Sequence, residues 1–265
     1  MPAVYINGFN MFYKEHGEGN VPVLFIHGFP LSADIWDEQI NEIGAKTRVI
    51  CPDLRGFGRT AFTDVSYSME LFASDLKSLI DTLNIKKIIL AGLSMGGYIA
   101  FSFYKLFPSS VHAMVLLDTR AGSDTEEGKK NRVLLAQRAR NGEKDRIADE
   151  WVEKLLAPET IKTKHHVVSK VREIILNTPS ETIARVSLAM MERQDSTELL
   201  KDITCPTLVV VGEKDRLTPV EEARSMASRI KNAKLEVINN AGHLTSMEAP
   251  EQLNKVLLAF LSDLR

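Results

Sequence analysis

The chain has 265 residues, 44% hydrophobic and 26% charged, and its 33 Lys and Arg nearly balance 35 Asp and Glu for a formal net charge of −2. This is the composition of a soluble globular protein with room for a large core, and with no basic run of five or more nothing draws nucleic acid or an anionic membrane to it. Two cysteines, Cys51 and Cys205, are too few for a disulfide framework or a thiolate metal site and read as free thiols. Met1 to Gly8 lacks a basic segment followed by an apolar one, and no apolar run reaches membrane-span length, so a cytoplasmic protein with small-molecule partners is expected.

Strand-like runs recur at Val4 to Ile6, Met11 to Lys14, Val23 to Ile26, Arg48 to Cys51, Ile88 to Ala91, Ala113 to Leu117, Thr207 to Val211 and Leu235 to Ile238. The first two alternate and are joined through Asn7, Gly8, Phe9 and Asn10, which predicts an antiparallel hairpin at a sheet edge. The later runs are continuously apolar, with helical stretches at Ser32 to Ile43, Met69 to Leu83, Met95 to Leu106, Val220 to Arg229 and Pro250 to Leu261. That alternation predicts an α/β fold, a mostly parallel eight-stranded sheet with helices on both faces and chemistry at the strand C-terminal ends. From Thr119 to about Asp202 strands give way to helical blocks near Lys129 to Asn141, Lys144 to Leu156, Thr163 to Leu176 and Glu181 to Glu192, broken at Gly142, Pro158 and Pro179. We read 1–119 and 203–265 as the core and 120–202 as a four-helix lid inserted over the strand ends.

Ile88 to Ala91 runs directly into Gly92, Leu93, Ser94, Met95, Gly96 and Gly97. A serine between glycines at a strand-to-helix turn is a nucleophile elbow: the turn exposes the hydroxyl and aims the Met95 N–H at a developing oxyanion. After the third run, His27, Gly28, Phe29 and Pro30 offer the Phe29 N–H as a second oxyanion donor, with His27 structural. Asp53 to Gly58 reads as a structural loop. Asp215 and His243 each follow a late strand and complete the order Ser, Asp, His, with His243 as general base and Asp215 holding its tautomer. Asp118 also ends a strand and is the rival acid, but it runs into Thr119 and Arg120, where capping or an Arg pair would use it. Phe29, Met95, Trp36, Trp151, Met190, Met191, Leu217 and Leu244 are candidates to line an apolar acyl pocket. The pair His165 and His166 lacks a third ligand and reads as a solvated face, so no metal or cofactor is expected.

At His27 to Pro30 (HGFP), Asp53 to Gly58 (DLRGFG), Gly92 to Gly97 (GLSMGG), Gly212 to Asp215 (GEKD) and Ala241 to His243 (AGH) the chain resembles the α/β-hydrolase family over essentially its whole length. Serine at the elbow, rather than the aspartate of members that open epoxides or displace halide, implies acyl-enzyme chemistry on carboxylic esters. Tyr5, Asn7, Gly8, Tyr13 and the DTRAG run from Asp118 to Gly122 resemble carboxylesterases grouped with oxoadipate enol-lactonases. Pro30 resembles the cofactor-free perhydrolases. The expectation is a serine carboxylesterase acting on small-molecule esters, with a homo-oligomer also compatible. Its rivals are enol-lactone opening, carbon–carbon hydrolysis or perhydrolysis on the same three residues, and a small-molecule receptor of the same fold.

Overall fold

The computed structural model describes residues 2–264. Its eight strands are β1 (Ala3–Ile6), β2 (Phe9–His16), β3 (Val23–Ile26), β4 (Val49–Pro52), β5 (Ile88–Leu93), β6 (Val111–Leu117), β7 (Thr207–Gly212) and β8 (Ala233–Ile238). They form one sheet in the order β1-β2-β4-β3-β5-β6-β7-β8, antiparallel at β1/β2 and β2/β4 and parallel from β4 to β8. The edge hairpin turns on Asn7 and Gly8 alone, since Ile6 already pairs with Phe9, and both turn residues have positive φ, 45° and 87°. A two-residue turn of this kind matches the right-handed strand twist.

The central strands β3, β4, β5 and β7 are buried along their whole length, as continuously apolar runs require in a sheet covered on both sides. One face packs on α2 (Met69–Thr82), α3 (Met95–Leu106) and α9 (Val220–Arg229) through Phe72, Leu76, Phe103 and Met226. The other packs on α1 (Asp37–Gly44) and α11 (Pro250–Asp263) through Ile40, Ile43, Leu253 and Leu257. A four-residue helix, α10 (Thr245–Glu248), precedes α11 and is too short for periodicity to reveal.

Between β6 and β7 lie α4 (Glu126–Arg140), α5 (Lys144–Leu155), α6 (Pro158–Thr163), α7 (His165–Asn177) and α8 (Ser180–Met191). Five helices thus stand where the sequence predicts four. Pro158, read as a break, is the first residue of α6, a position where a missing N–H costs nothing and the fixed φ already suits a helix. Among the described residues no helix is long and apolar enough to cross a membrane.

Candidate active site

β3, β4, β5, β6, β7 and β8 all end on the same side of the sheet, and every predicted site residue but Trp36, Trp151, Met190 and Met191 lies just past one of these ends. Ser94 sits between β5 and α3 at φ 56°, ψ −115°, a conformation that non-glycine residues rarely hold. The turn is fixed from two sides. Ser94 N donates to Leu117 O of β6 at 2.9 Å, and Thr119 Oγ1 donates to Ser94 O at 2.8 Å. A Cβ on Gly96 would lie 2.3 Å from Ile26 O, so only glycine lets α3 start against the end of β3.

The same packing brings the HGFP turn to the serine: a Cβ on Gly28 would lie 3.2 Å from Ser94 Cβ. The N–H groups of Phe29 and Met95 donate to no protein acceptor among the described residues, which leaves both for a ligand. His27 closes the turn as a structural residue. Its Nδ1 lies 2.9 Å from Gly28 O and its Nε2 accepts from Leu54 N at 3.1 Å, while complete burial pulls the imidazole down to about 4. Asp53 is likewise internal, accepting from Ala33 N at 2.9 Å and Arg59 N at 3.0 Å. Arg55 forms a buried pair with Asp75, at 2.6 Å. The Phe29–Pro30 peptide bond is cis.

His243 Nε2 lies 2.8 Å from Ser94 Oγ, and its Nδ1 lies 2.8 Å from Asp215 Oδ2. Asp215 also accepts from Leu217 N, Thr218 N and Thr218 Oγ1 at 2.8, 3.0 and 2.6 Å, so a short turn aims its carboxylate at the imidazole. Burial alone would raise Asp215 and lower His243. The mutual charge and hydrogen bond outweigh it in both, so the Asp215 carboxyl is held below its ordinary range and the His243 imidazole above 6.5. Asp118, the rival acid, reaches neither nitrogen of that ring through a hydrogen bond. It accepts from Gly212 N at 2.8 Å and Thr245 Oγ1 at 2.5 Å, tying β6 to β7 and α10. Of the two uses expected for Asp118, capping or an Arg pair, the pair with Arg120 does not form, because Arg120 turns to Asp124. Complete burial, and then the Asp215 charge, push the Asp118 carboxyl well above its usual range.

The loop carrying His243 is anchored to the helical segment. His243 N donates to Leu155 O at 2.9 Å, and the buried carboxylate of Glu248 accepts from Ala157 N on one oxygen and from Gly242 N and Leu244 N on the other, at 2.7, 2.9 and 3.2 Å.

Phe29, Ser94, Trp151, Met190, Leu217 and His243 line one pocket of about 110 Å³. The other four predicted lining residues do not line it. Trp36 is fully buried against Phe25, ring centroids 4.7 Å apart, because its helical turn faces the α1/α11 side of the sheet. Leu244 is fully buried in that same layer, its neighbour His243 having taken the direction of the pocket. Met191, one residue past Met190, is rotated by about a hundred degrees on the helix and ends half-buried outside the pocket. Met95 is wholly buried and offers the site its backbone. Tyr98, Arg120, Arg132 and Thr218 also line the pocket, none of them expected there from the sequence. Thr218 and Arg120 follow strands β7 and β6 and could have been found by position; Tyr98 and Arg132 carry no local signal. His165 and His166 are exposed, and among the described residues no three His, Cys, Asp or Glu are grouped to hold a metal ion.

The alpha/beta hydrolase fold family matches residues 21–250 of the chain. A thermophilic esterase from Thermogutta terrifontis, solved with malate bound, superposes with a TM-score of 0.94 at 39% identity over 99% of this chain and 97% of that one. The 3-oxoadipate enol-lactonase 2 of Acinetobacter baylyi is 26% identical, and a putative non-heme chloroperoxidase of Synechocystis is 29% identical. These alignments cover 94% of this chain and 92% of the lactonase, and 95% of this chain and of the chloroperoxidase. The sheet order, the strand-end site and the family match agree, and the chain is a member of the alpha/beta hydrolase fold family.

Proposed function

We propose that this hydrolase-family member is a serine carboxylesterase that cleaves small carboxylic esters or lactones through an acyl-enzyme. The observation that carries the reading is the unbroken chain from Ser94 Oγ through His243 to Asp215, with both links at 2.8 Å. A serine hydroxyl is a weak nucleophile until an imidazole takes its proton, and Nε2 is at the distance that proton transfer needs. Asp215 on Nδ1 fixes the tautomer that leaves Nε2 free to accept and stabilises the imidazolium that forms.

In this reading Ser94 attacks the ester carbonyl while its proton passes to His243. The carbonyl oxygen, now an oxyanion, is held by the N–H groups of Phe29 and Met95. His243 returns the proton to the leaving alcohol, then takes one from water as the water attacks the acyl-enzyme. The acid departs and Ser94 is restored. The helices between β6 and β7 act as the lid, since Trp151 and Met190 from α5 and α8 reach the pocket that Ser94 opens into. The similarity to an esterase over nearly the full length supports esters over the other chemistries of the fold.

A fluorophosphonate, which mimics the tetrahedral intermediate, is expected to label Ser94 alone and to abolish hydrolysis of a panel of short acyl esters. Labelling at another residue, or near-wild-type hydrolysis by Ser94→Ala, would overturn the reading. Tight binding of those esters with no turnover would make the protein a receptor instead.

A further inference from the structure

The Ser94 pocket has a charged wall that the ester chemistry does not use. Arg120, Arg132 and Arg193 converge on a single carboxylate, Asp124, with nitrogen to oxygen distances of 2.6, 3.0 and 2.9 Å. Three guanidiniums against one carboxylate leave two positive charges in excess, and arginine cannot shed its proton to relieve them. Arg193 is absorbed by the fold: it is almost fully buried, donates to Met190 O and Gly122 O, and lies 4.1 Å over the Tyr98 ring.

Arg120 and Arg132 are not absorbed in this way. Each spends one hydrogen bond on Asp124 and also lines the pocket shared by Ser94 and His243, where Arg120 lies beside the Tyr98 phenol. The Arg120 and Arg193 Nε atoms are alike buried with no acceptor, so what sets Arg120 and Arg132 apart is that their guanidiniums line the pocket. No Asp or Glu lines that pocket. A net positive wall facing a pocket is unfavourable unless an anion completes it.

We propose that Arg120 and Arg132 form a carboxylate-binding subsite, and that the preferred substrates are short esters or lactones bearing a free carboxylate away from the scissile bond. The inference rests on the ester-hydrolysis reading and narrows it. A carboxylate accepts from guanidinium N–H groups with well-defined geometry, so anchoring that end would hold the ester carbonyl at Ser94. The pocket's 110 Å³ suits a short dicarboxylate half-ester rather than a long fatty chain.

The test compares monomethyl succinate with methyl 4-methylpentanoate, in which an isopropyl group replaces the carboxylate at nearly the same shape. The wild-type kcat/KM is expected to favour the half-ester by about tenfold or more, the worth of one charge-assisted hydrogen bond. That preference should shrink as ionic strength rises. Arg120→Gln and Arg132→Gln should each collapse the ratio, mainly through KM for the half-ester. Should either variant fold poorly, the salt dependence of the wild-type ratio decides. Succinate should also raise the melting temperature of Ser94→Ala protein in a concentration-dependent way. Faster turnover of the neutral ester, with no succinate-induced shift, overturns the subsite and leaves the esterase reading standing. A succinate shift with no hydrolysis of either ester overturns the esterase reading and leaves the subsite in place.

Discussion

Replacing Ser94 by glycine should give a more stable protein than replacing it by alanine, although neither variant is expected to hydrolyse esters. Either change removes the 2.8 Å contact to His243 Nε2, so that loss cancels in the comparison. What differs is the backbone at φ 56°, ψ −115°, where a Cβ costs about 1–3 kcal/mol and glycine almost none. Glycine loses about 0.4–1 kcal/mol through its freer unfolded chain. Taking about 2 against about 0.7 leaves roughly 1 kcal/mol in favour of Ser94→Gly, or a melting temperature higher by about 2–4 °C for a chain near this size. Paired thermal and urea melts of the two variants measure the difference directly. Equal stability, or a more stable Ser94→Ala, would refute the idea that the elbow stores strain at this residue.

Asp215→Asn should lower kcat by up to about ten-thousand-fold with the fold retained, because the amide favours the wrong imidazole tautomer. Asp118→Asn should cost far less, since asparagine can still accept from Gly212 N, and the opposite ranking in steady-state assays would move the acid role to Asp118. His243 must lose a proton to act as base, and its imidazole is raised, so kcat/KM should climb with pH through a midpoint above 6.5. A midpoint below the ordinary imidazole value would contradict the charge contact with Asp215, and Asp215→Asn should itself move the midpoint down. Gly96→Ala puts a methyl 2.3 Å from a backbone oxygen of β3, so denaturant melts should show a loss of about 1–3 kcal/mol and hydrolysis should fall with it; an unchanged melt would mean that α3 can retreat.

Most of the fold was legible because its central strands β3, β4, β5 and β7 are apolar along nearly their whole length. Val23–Ile26 and Met95–Leu106 begin and end where the pattern of residues places them. Ser94, Asp215 and His243 were readable for a related reason: glycine-marked turns at strand exits leave a local signature, and their meeting follows from strand order alone. Pocket lining was legible only in part. Whether Met190 or Met191 faces the serine depends on the rotation of a helix docked from elsewhere, which composition does not record. Trp36, a candidate lining residue by its apolar character, is instead spent on the core, where it packs against Phe25 in the α1/α11 layer. The arginines were hidden because their partner, Asp124, and their position beside Ser94 arise from long-range packing.

The loop of His243 hangs on Leu155 and, through Glu248, on Ala157, whereas Ser94 and Asp215 are set by the sheet and its own turns. Ser94 and Asp215 therefore need only the sheet and its turns to be in place, whereas His243 also needs the ends of α5 and α6 docked. A half-assembled chain, with its sheet complete and these helices loose, would carry an unactivated serine and do no chemistry on whatever it met. Hydrolysis would then report completed assembly, and a single backbone cut between Leu155 and Pro158 would silence the site while leaving the serine intact.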